Sequence, residues 1–375
     1  MSKFVGRAVV AMSGGVDSSV AAALLAREGY EVVGITMRLF PQPFAGAGRL
    51  NKSCCSLEDV EDARATCRKM GARHLYLNFE KEFQEHVIDY FVGEYERGRT
   101  PHPCLACNDR LKFDFLMRRA DLIDADVVAT GHYARIQRSG SMYQLSRAVD
   151  PAKDQSYVLY NLTQGQMARL RLPVGEFTKT RIREIARELD LPVADKPDSQ
   201  DICFIPSGDY RKFVEARLKN RRPGVIRDSS GKVLGRHDGV HGFTVGQRKG
   251  LPIEGGLGRP VFVTEIDAAT GTITVGPSEE LMRRAFFASD VNWVSGVTPQ
   301  GPLRASVRVR YTGRDELATV EAFGNAARIT FDQPMRAITP GQAAVFYDGD
   351  TVIGGGYVEL AEPAATSPEP ALSRA

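Results

Sequence analysis

The sequence predicts an α/β protein built on a doubly wound parallel sheet, followed by a small β-rich region and a C-terminal β-barrel. Three observations carry this. Short apolar runs alternate with segments of helical periodicity through the first half. A polar, glycine-bearing turn, Ser13-Gly14-Gly15-Val16-Asp17-Ser18, stands between the first apolar run and an alanine-rich segment. That is the C-terminal end of a strand, where open α/β sheets bind ligands. Past residue 220 the texture changes to short strands separated by Gly, Pro and Asp turns, the pattern of a small barrel. A chain of 375 residues exceeds one typical core. The expected division is 1–205, 206–278 and 279–362, with the Pro-, Ala- and Ser-rich stretch 363–375 as a disordered tail.

The elements follow in order. Residues 8–12 form a buried strand, and the alanine-rich segment 20–26 after the turn reads as a helix. Gly14 and Gly15 let the turn approach a ligand closely, while Ser13, Ser18 and the N–H groups at the helix start are placed to grip phosphate oxygens. No Walker loop occurs, so the lysine that reaches terminal phosphates in that motif is missing. A second strand, 32–37, ends at Met37, which is read either as a surface for a nucleotide base or as a plain core residue. The stretch 41–53 is a Pro- and Gly-rich loop, and Cys54 and Cys55 precede a helix capped by Ser56. Further elements are a strand at 74–78, a helix at 83–95 and a strand at 126–130 that closes on Gly131-His132-Tyr133. In the second half, strands are expected at 224–226, 232–235, 261–266, 272–275, 304–311, 318–323, 327–331 and 343–347.

Two stretches carry thiols. In Arg99-Thr100-Pro101-His102-Pro103-Cys104-Leu105-Ala106-Cys107-Asn108 the prolines predict no helix until Asn108 caps one over 109–120. Cys107 then sits at a helix N-terminus, where the dipole favours thiolate. The C-x-x-C spacing also fits a redox pair, half a zinc site or an iron–sulfur site, with no second pair in the chain to complete four ligands. The other stretch, Lys196-Pro197-Asp198-Ser199-Gln200-Asp201-Ile202-Cys203, follows a helix at 181–189 and places Cys203 on a charged loop or, equally, in a core. A further helix spans 207–220. On the strand 304–311, Val307, Val309 and Tyr311 share one face and Arg308 and Arg310 the other, which is either a solvated face or a contact for RNA phosphates.

Charge is balanced, 49 basic against 46 acidic residues, so composition does not announce a nucleic-acid binder. No secretory signal or membrane-length apolar run is seen, and a cytoplasmic protein with reduced cysteines and no membrane partner is expected.

The turn Ser13–Ser18 resembles the pyrophosphate loop of the ATP pyrophosphatases. Taken with the Pro101–Asn108 run, Gly131-His132-Tyr133, Lys153-Asp154-Gln155-Ser156-Tyr157, Asp201-Ile202-Cys203-Phe204-Ile205, Thr244-Val245-Gly246-Gln247-Arg248 and Arg310-Tyr311, the chain resembles the tRNA-specific 2-thiouridylases over roughly residues 5–360. The resemblance implies ATP-dependent 2-thiolation of the wobble uridine in Lys, Glu and Gln tRNAs, by way of an adenylated uridine and a cysteine persulfide. It implies ATP contacts from Ala11, Met12, Ser13, Gly14, Gly15, Val16, Asp17, Ser18, Met37 and Gly131, with Asp17 near Mg2+. Cys203 is the implied persulfide carrier and Cys107 its partner, forming a disulfide with it after sulfur delivery. His102, Pro103 and Cys104 are implied near the target base, and His132, Lys153, Asp154, Gln155, Arg310, Tyr311 and Gln342 at tRNA. A protein that donates persulfide sulfur is the implied second partner. Many family members carry aspartate where Cys104 stands, so Cys104 is read either as a bystander or substitute base beside the Cys107–Cys203 pair, or with Cys107 and Cys203 as a ligand of an iron–sulfur cluster. Two rival readings are another pyrophosphate-loop ligase or amidotransferase, and an RNA-binding protein whose cysteines hold metal.

Overall fold

The structure, a computed structural model, describes residues 4–40, 57–198, 202–205, 208–218, 221–253 and 258–362. The 41–53 loop, Cys54, Cys55, the Ser56 cap, Asp201 and the 363–375 tail lie outside the described residues, and the 207–220 helix is described only in part.

The first half is a parallel sheet. Its strands β1 (Arg7–Ala11), β2 (Glu31–Arg38), β3 (Arg73–Asn78) and β4 (Val127–Ala129) stand in the order β3-β2-β1-β4, and the short strand Leu170–Arg171 extends it beyond β4. The alternation of apolar runs and helices accounts for the parallel pairing, because each parallel crossover needs a connecting segment that covers one face. Ala8, Val9 and Val10 of β1 are fully buried, as a central strand covered on both faces requires. The helix α1 (Val16–Arg27) buries Ala21, Ala22 and Ala23, whose small side chains let it lie close against the sheet.

The chain from Pro103 to Asp121 is helical throughout: Pro103–Ala106 in α form, Cys107–Phe115 in wide π turns, Leu116–Asp121 again α. This corrects the expected break. Pro103 occupies the first helical position, where its missing N–H would have no partner in any helix, and His102 is the N-cap. Asn108 is therefore interior. It is buried and donates its side-chain amide to the Val158 carbonyl at 3.1 Å. Cys104, not Cys107, lies in the first turn.

A four-stranded sheet follows, with Phe262–Asp267, Thr272–Gly276, Gly224–Asp228 and Val233–His237 side by side. Then six antiparallel strands, Met282–Trp293, Leu303–Arg308, Glu316–Phe323, Ala326–Arg336, Ala343–Asp348 and Thr351–Glu359, close into a barrel where the first pairs with the last. Its core holds Phe286, Val307, Ile329, Phe331 and Phe346.

The barrel is not separate from the first half. A hairpin, Ala134–Ser139 with Met142–Arg147, joins the Thr351–Glu359 strand through Ser146↔Thr351 and Leu145↔Val352. One apolar core accordingly runs from Val9 and Leu105 through Tyr157 to Val345 and Tyr347. Among the described residues, no helix is long and apolar enough to cross a membrane.

Candidate functional site

The turn after β1 is built from its own polar groups. Gly14 takes φ +72°, and Gly15 is the N-cap of α1. The Ser18 hydroxyl accepts from the Ser13 N–H at 3.2 Å and lies 3.3 Å from the Ser13 hydroxyl. The leading N–H groups of α1 and both hydroxyls thus converge at one helix start, the arrangement that receives phosphate oxygens. Gly131 closes the other wall: a side chain there would stand 2.6 Å from the Ser18 nitrogen and 2.8 Å from the Asp17 carbonyl carbon. Val16 is buried beneath the turn, and Ala11 and Met12 are buried ahead of it.

Charged groups that the sequence reading did not assign to this turn surround it. Lys179 donates to both Asp17 carboxylate oxygens, at 2.7 and 2.8 Å, and Tyr133 donates its hydroxyl to one of them at 2.6 Å. Lys179 also pairs with Asp198 at 2.9 Å, where Lys153 (2.8 Å) and Arg183 (3.0 Å) meet the same carboxylate. Burial raises the pKa of Asp198, but its bonds to Lys153 and Lys179 outweigh this and hold it down at about 2. Lys196 donates to the Gly14 carbonyl at 3.0 Å and to Asp59 at 2.6 Å, and also pairs with Asp62. Lys196 and Asp198 had been read only as a charged approach to Cys203. The one available signal was Thr178, a cap residue announcing that Lys179 begins a helix.

The two thiols expected to react border a single apolar cluster. Cys107, Cys203 and Ile202 pack at the edge of a core containing Met37, Leu39, Phe83, Phe91, Ala106 and Phe204. Met37 is therefore a core residue at the end of β2. Phe204 fixes the chain beside Cys203. It is 6% exposed and its ring lies 5.6, 5.3 and 5.2 Å from those of Phe83, Phe91 and Phe213. Phe204→Ala is expected to cost about 3–5 kcal/mol by opening this cluster. Chemical denaturation checks it.

The iron–sulfur reading meets a mismatch. Cys104 is exposed on the first helical turn, outside the cluster that holds Cys107 and Cys203. Among the described residues no three His, Cys, Asp or Glu side chains are gathered to hold a metal ion. These residues do not fit the cluster, and no step passes through it.

Beside this region the first half meets the barrel. The His102 ring lies 5.7 Å from that of Tyr311 and 6.1 Å from that of Tyr157, and Tyr157 and Tyr311 are 5.9 Å apart. Burial lowers the His102 pKa, and its buried Nδ1 has no hydrogen-bond partner among the described residues. Burial, with the nearby Asp154 and Cys104, raises the pKa of Tyr311. Pro103 is buried just behind.

The other expected tRNA residues each make a structural contact within the fold. Gln342 donates to the Thr100 carbonyl at 2.7 Å, and Gln155 accepts from the Tyr133 N–H at 2.9 Å. His132 is buried, 2.7 Å from the Thr130 hydroxyl and 3.4 Å from Lys112, and burial followed by that lysine drives its pKa well down. Asp154 is buried and accepts from Ala148, Ser156 and Arg147.

The shared arginine face is corrected. The strand ends at Arg308, and the two guanidinium groups part: Arg308 pairs with Asp315 at 2.6 Å, whereas Arg310 turns to the Ala337 carbonyl and the Thr339 hydroxyl. Tyr311, beyond the strand end, is exposed although Val307 and Val309 are buried.

Three family models match successive stretches of the chain. A model described as the tRNA methyl transferase HUP domain matches residues 6–207, the tRNA methyl transferase PRC-barrel domain 211–277, and the aminomethyltransferase beta-barrel domain 283–358. The chain is 46% identical over 357 residues to tRNA-specific 2-thiouridylase MnmA 2 of Caldanaerobacter subterraneus subsp. tengcongensis, covering 94% of this chain and 98% of that protein. It is 47% identical over 355 residues to the tRNA-specific 2-thiouridylase MnmA of Clostridium perfringens, at the same two coverages, 94% and 98%. Against that of Solibacter usitatus the identity is 48% over 366 residues, covering 93% and 98%.

Proposed function

The chain belongs to the tRNA-specific 2-thiouridylase family, and from that premise we propose how its residues divide the work of ATP-dependent tRNA thiolation. The observation that carries the assignment is the pairing of a phosphate-receiving turn at the end of β1 with two thiols, Cys107 and Cys203, on one neighbouring apolar cluster. A ligase acting on a small acid needs the turn but no thiol.

The reaction needs both parts. Oxygen at C2 of uracil is a poor leaving group. Attack of that oxygen on the α-phosphorus of ATP expels pyrophosphate and leaves an O–P bond, so the oxygen can later depart as AMP. Ser13, Ser18 and the α1 N–H groups hold the departing pyrophosphate. Mg2+ binds through one or two carboxylates together with substrate phosphates, and Asp17 is the carboxylate at the turn that would hold it, supplying charge neutralisation. The terminal sulfur of a Cys203 persulfide then attacks C2 and AMP leaves. The Cys107 thiolate attacks Cys203 Sγ, the S–S bond to the transferred sulfur breaks with its electron pair, and sulfur stays on C2. A Cys107–Cys203 disulfide remains, and a dithiol reductant reopens it. The sulfur itself comes from a persulfide-bearing donor protein, and the tRNAs are those of the wobble-uridine set, met in the cytoplasm.

We assign ATP and sulfur chemistry to residues 1–205, the connection to 206–278 and tRNA docking to the barrel 279–362. The His102–Tyr157–Tyr311 seam receives the base, which must leave the anticodon stack to reach the adenylation site. Tyr311→Ala is expected to weaken tRNA binding by about 1–3 kcal/mol through lost stacking, with ATP affinity unchanged; filter binding reads both.

The deciding experiment supplies ATP, Mg2+, tRNA and a persulfide donor. The expected products are AMP, pyrophosphate and a 2-thiouridine found by nucleoside mass spectrometry. ADP with inorganic phosphate would overturn the assignment.

A further inference from the structure

We propose that Lys153, Lys179 and Arg183 form the cationic wall of a polyphosphate site facing the Ser13–Ser18 turn, and that the Asp198 carboxylate is an internal anion which nucleotide polyphosphate displaces from them. The proposal rests on the reading of that turn as an ATP site.

One carboxylate here is shared by three cations. Asp198 meets Lys153 at 2.8 Å, Lys179 at 2.9 Å and Arg183 at 3.0 Å. Lys179 reaches the turn as well, with 2.7 and 2.8 Å bonds to Asp17 in the first turn of α1. Asp198 and the phosphate-receiving turn are thus only one ammonium group apart. Asp198 offers only two oxygens to these three cations, and the Lys179 side chain is only 12% exposed. A third carboxylate, Asp150, is engaged by the Lys179 backbone N–H at 2.9 Å. A carboxylate offers two oxygens and one charge; a diphosphate offers more of both, and guanidinium and ammonium donors suit either.

The placement agrees with the chemistry. A pyrophosphate loop without a Walker lysine must draw its cations from elsewhere in the fold. Lys179 and Arg183 stand one turn apart on the helix Lys179–Glu188, so one helix supplies two of them on one face. Lys196 is not part of the wall. Asp59, Asp62 and the Gly14 carbonyl already occupy it, and it fixes the turn from behind.

The test titrates the full-length protein with inorganic pyrophosphate, α,β-methylene ATP and AMP, in the presence of Mg2+. Asp198→Asn keeps the shape and removes the competing charge. It should tighten pyrophosphate and the ATP analogue by about tenfold and leave AMP unchanged, since a charge-assisted bond is exchanged for a neutral one. Arg183→Gln and Lys153→Gln should each weaken the same two ligands by about tenfold, with AMP affinity held within about twofold. Lys179→Gln should do so more strongly, and melting curves separate that from misfolding. Weaker pyrophosphate binding by Asp198→Asn would overturn the proposal, because Asp198 would then be holding metal for the ligand. Equal losses of AMP and ATP analogue in Arg183→Gln would overturn it too. Wild-type protein that binds none of the three ligands removes the ATP reading itself; wild-type binding that the variants leave unchanged removes only this site.

Discussion

Cys203→Ser should make AMP and pyrophosphate from ATP and tRNA but no 2-thiouridine. Serine fills the same space beside Phe204, so the apolar cluster and the phosphate-receiving turn are undisturbed. What is lost is the nucleophile: a hydroxyl at neutral pH carries neither the charge nor the sulfur that a persulfide carries. Cys107→Ser should fail differently. Sulfur can be loaded onto Cys203 and can attack the base, yet the S–S bond to Cys203 is not broken, so turnover falls by roughly a thousandfold or more. Cys104→Ser is the informative third variant. Cys104 is exposed on the first turn, outside the cluster that joins the other two thiols. It should keep substantial activity. Nucleoside mass spectrometry together with AMP release distinguishes all three. Loss of thiolation in Cys104→Ser equal to that of the other variants would mean that three thiols act together.

How much of this was legible in the sequence depended on the range of the interactions. The turn at Ser13–Ser18 was readable because everything that makes it is local: an apolar run, two glycines, a cap position and alanines. That the strands of the first half run parallel followed from alternation, though their order did not. The helix at Pro103 was misread because a proline was taken as a breaker when it stands at the first helical position. The long strand Met282–Trp293 went unassigned. It carries Arg283, Arg284 and Asp290, and its pairing shifts register twice, so no clean alternation marks it. The hairpin at 134–147 was missed for another reason. Its partner strand begins at Thr351, and only the closed barrel brings that edge within reach. The cation cluster has the same character. Asp17, Lys153, Lys179 and Asp198 are far apart in the chain, and no local pattern links them; Asp17 and Lys179 meet where α1 packs against the helix Lys179–Glu188, and Lys153 and Asp198 come in from outside both helices.

Gly14→Ala is expected to damage both stability and adenylation, and the two causes can be separated. Gly14 holds φ +72°, a region where a Cβ costs about 1 kcal/mol. The added carbon also meets backbone, not a yielding side chain. It would stand 2.6 Å from the Asp59 Cα and 2.7 Å from its carbonyl carbon, in the helix Leu57–Lys69. That helix does not retreat easily, since Lys196 clasps Asp59 and Asp62 and the Gly14 carbonyl at once. Overpacking of this kind adds roughly 1–3 kcal/mol. The turn must then move, and a shift of about 1 Å in a phosphate-positioning group is enough for a hundredfold loss in rate. Gly140→Ala is the control. Gly140 has φ +61° with no atom near the added carbon, so it bears the backbone cost alone. Denaturation midpoints and AMP formation should place Gly14→Ala well below Gly140→Ala on both axes, with the control keeping full adenylation. Equal stability and equal rates in the two variants would show that the helix yields, and that the close approach of Asp59 to the turn does not set its geometry.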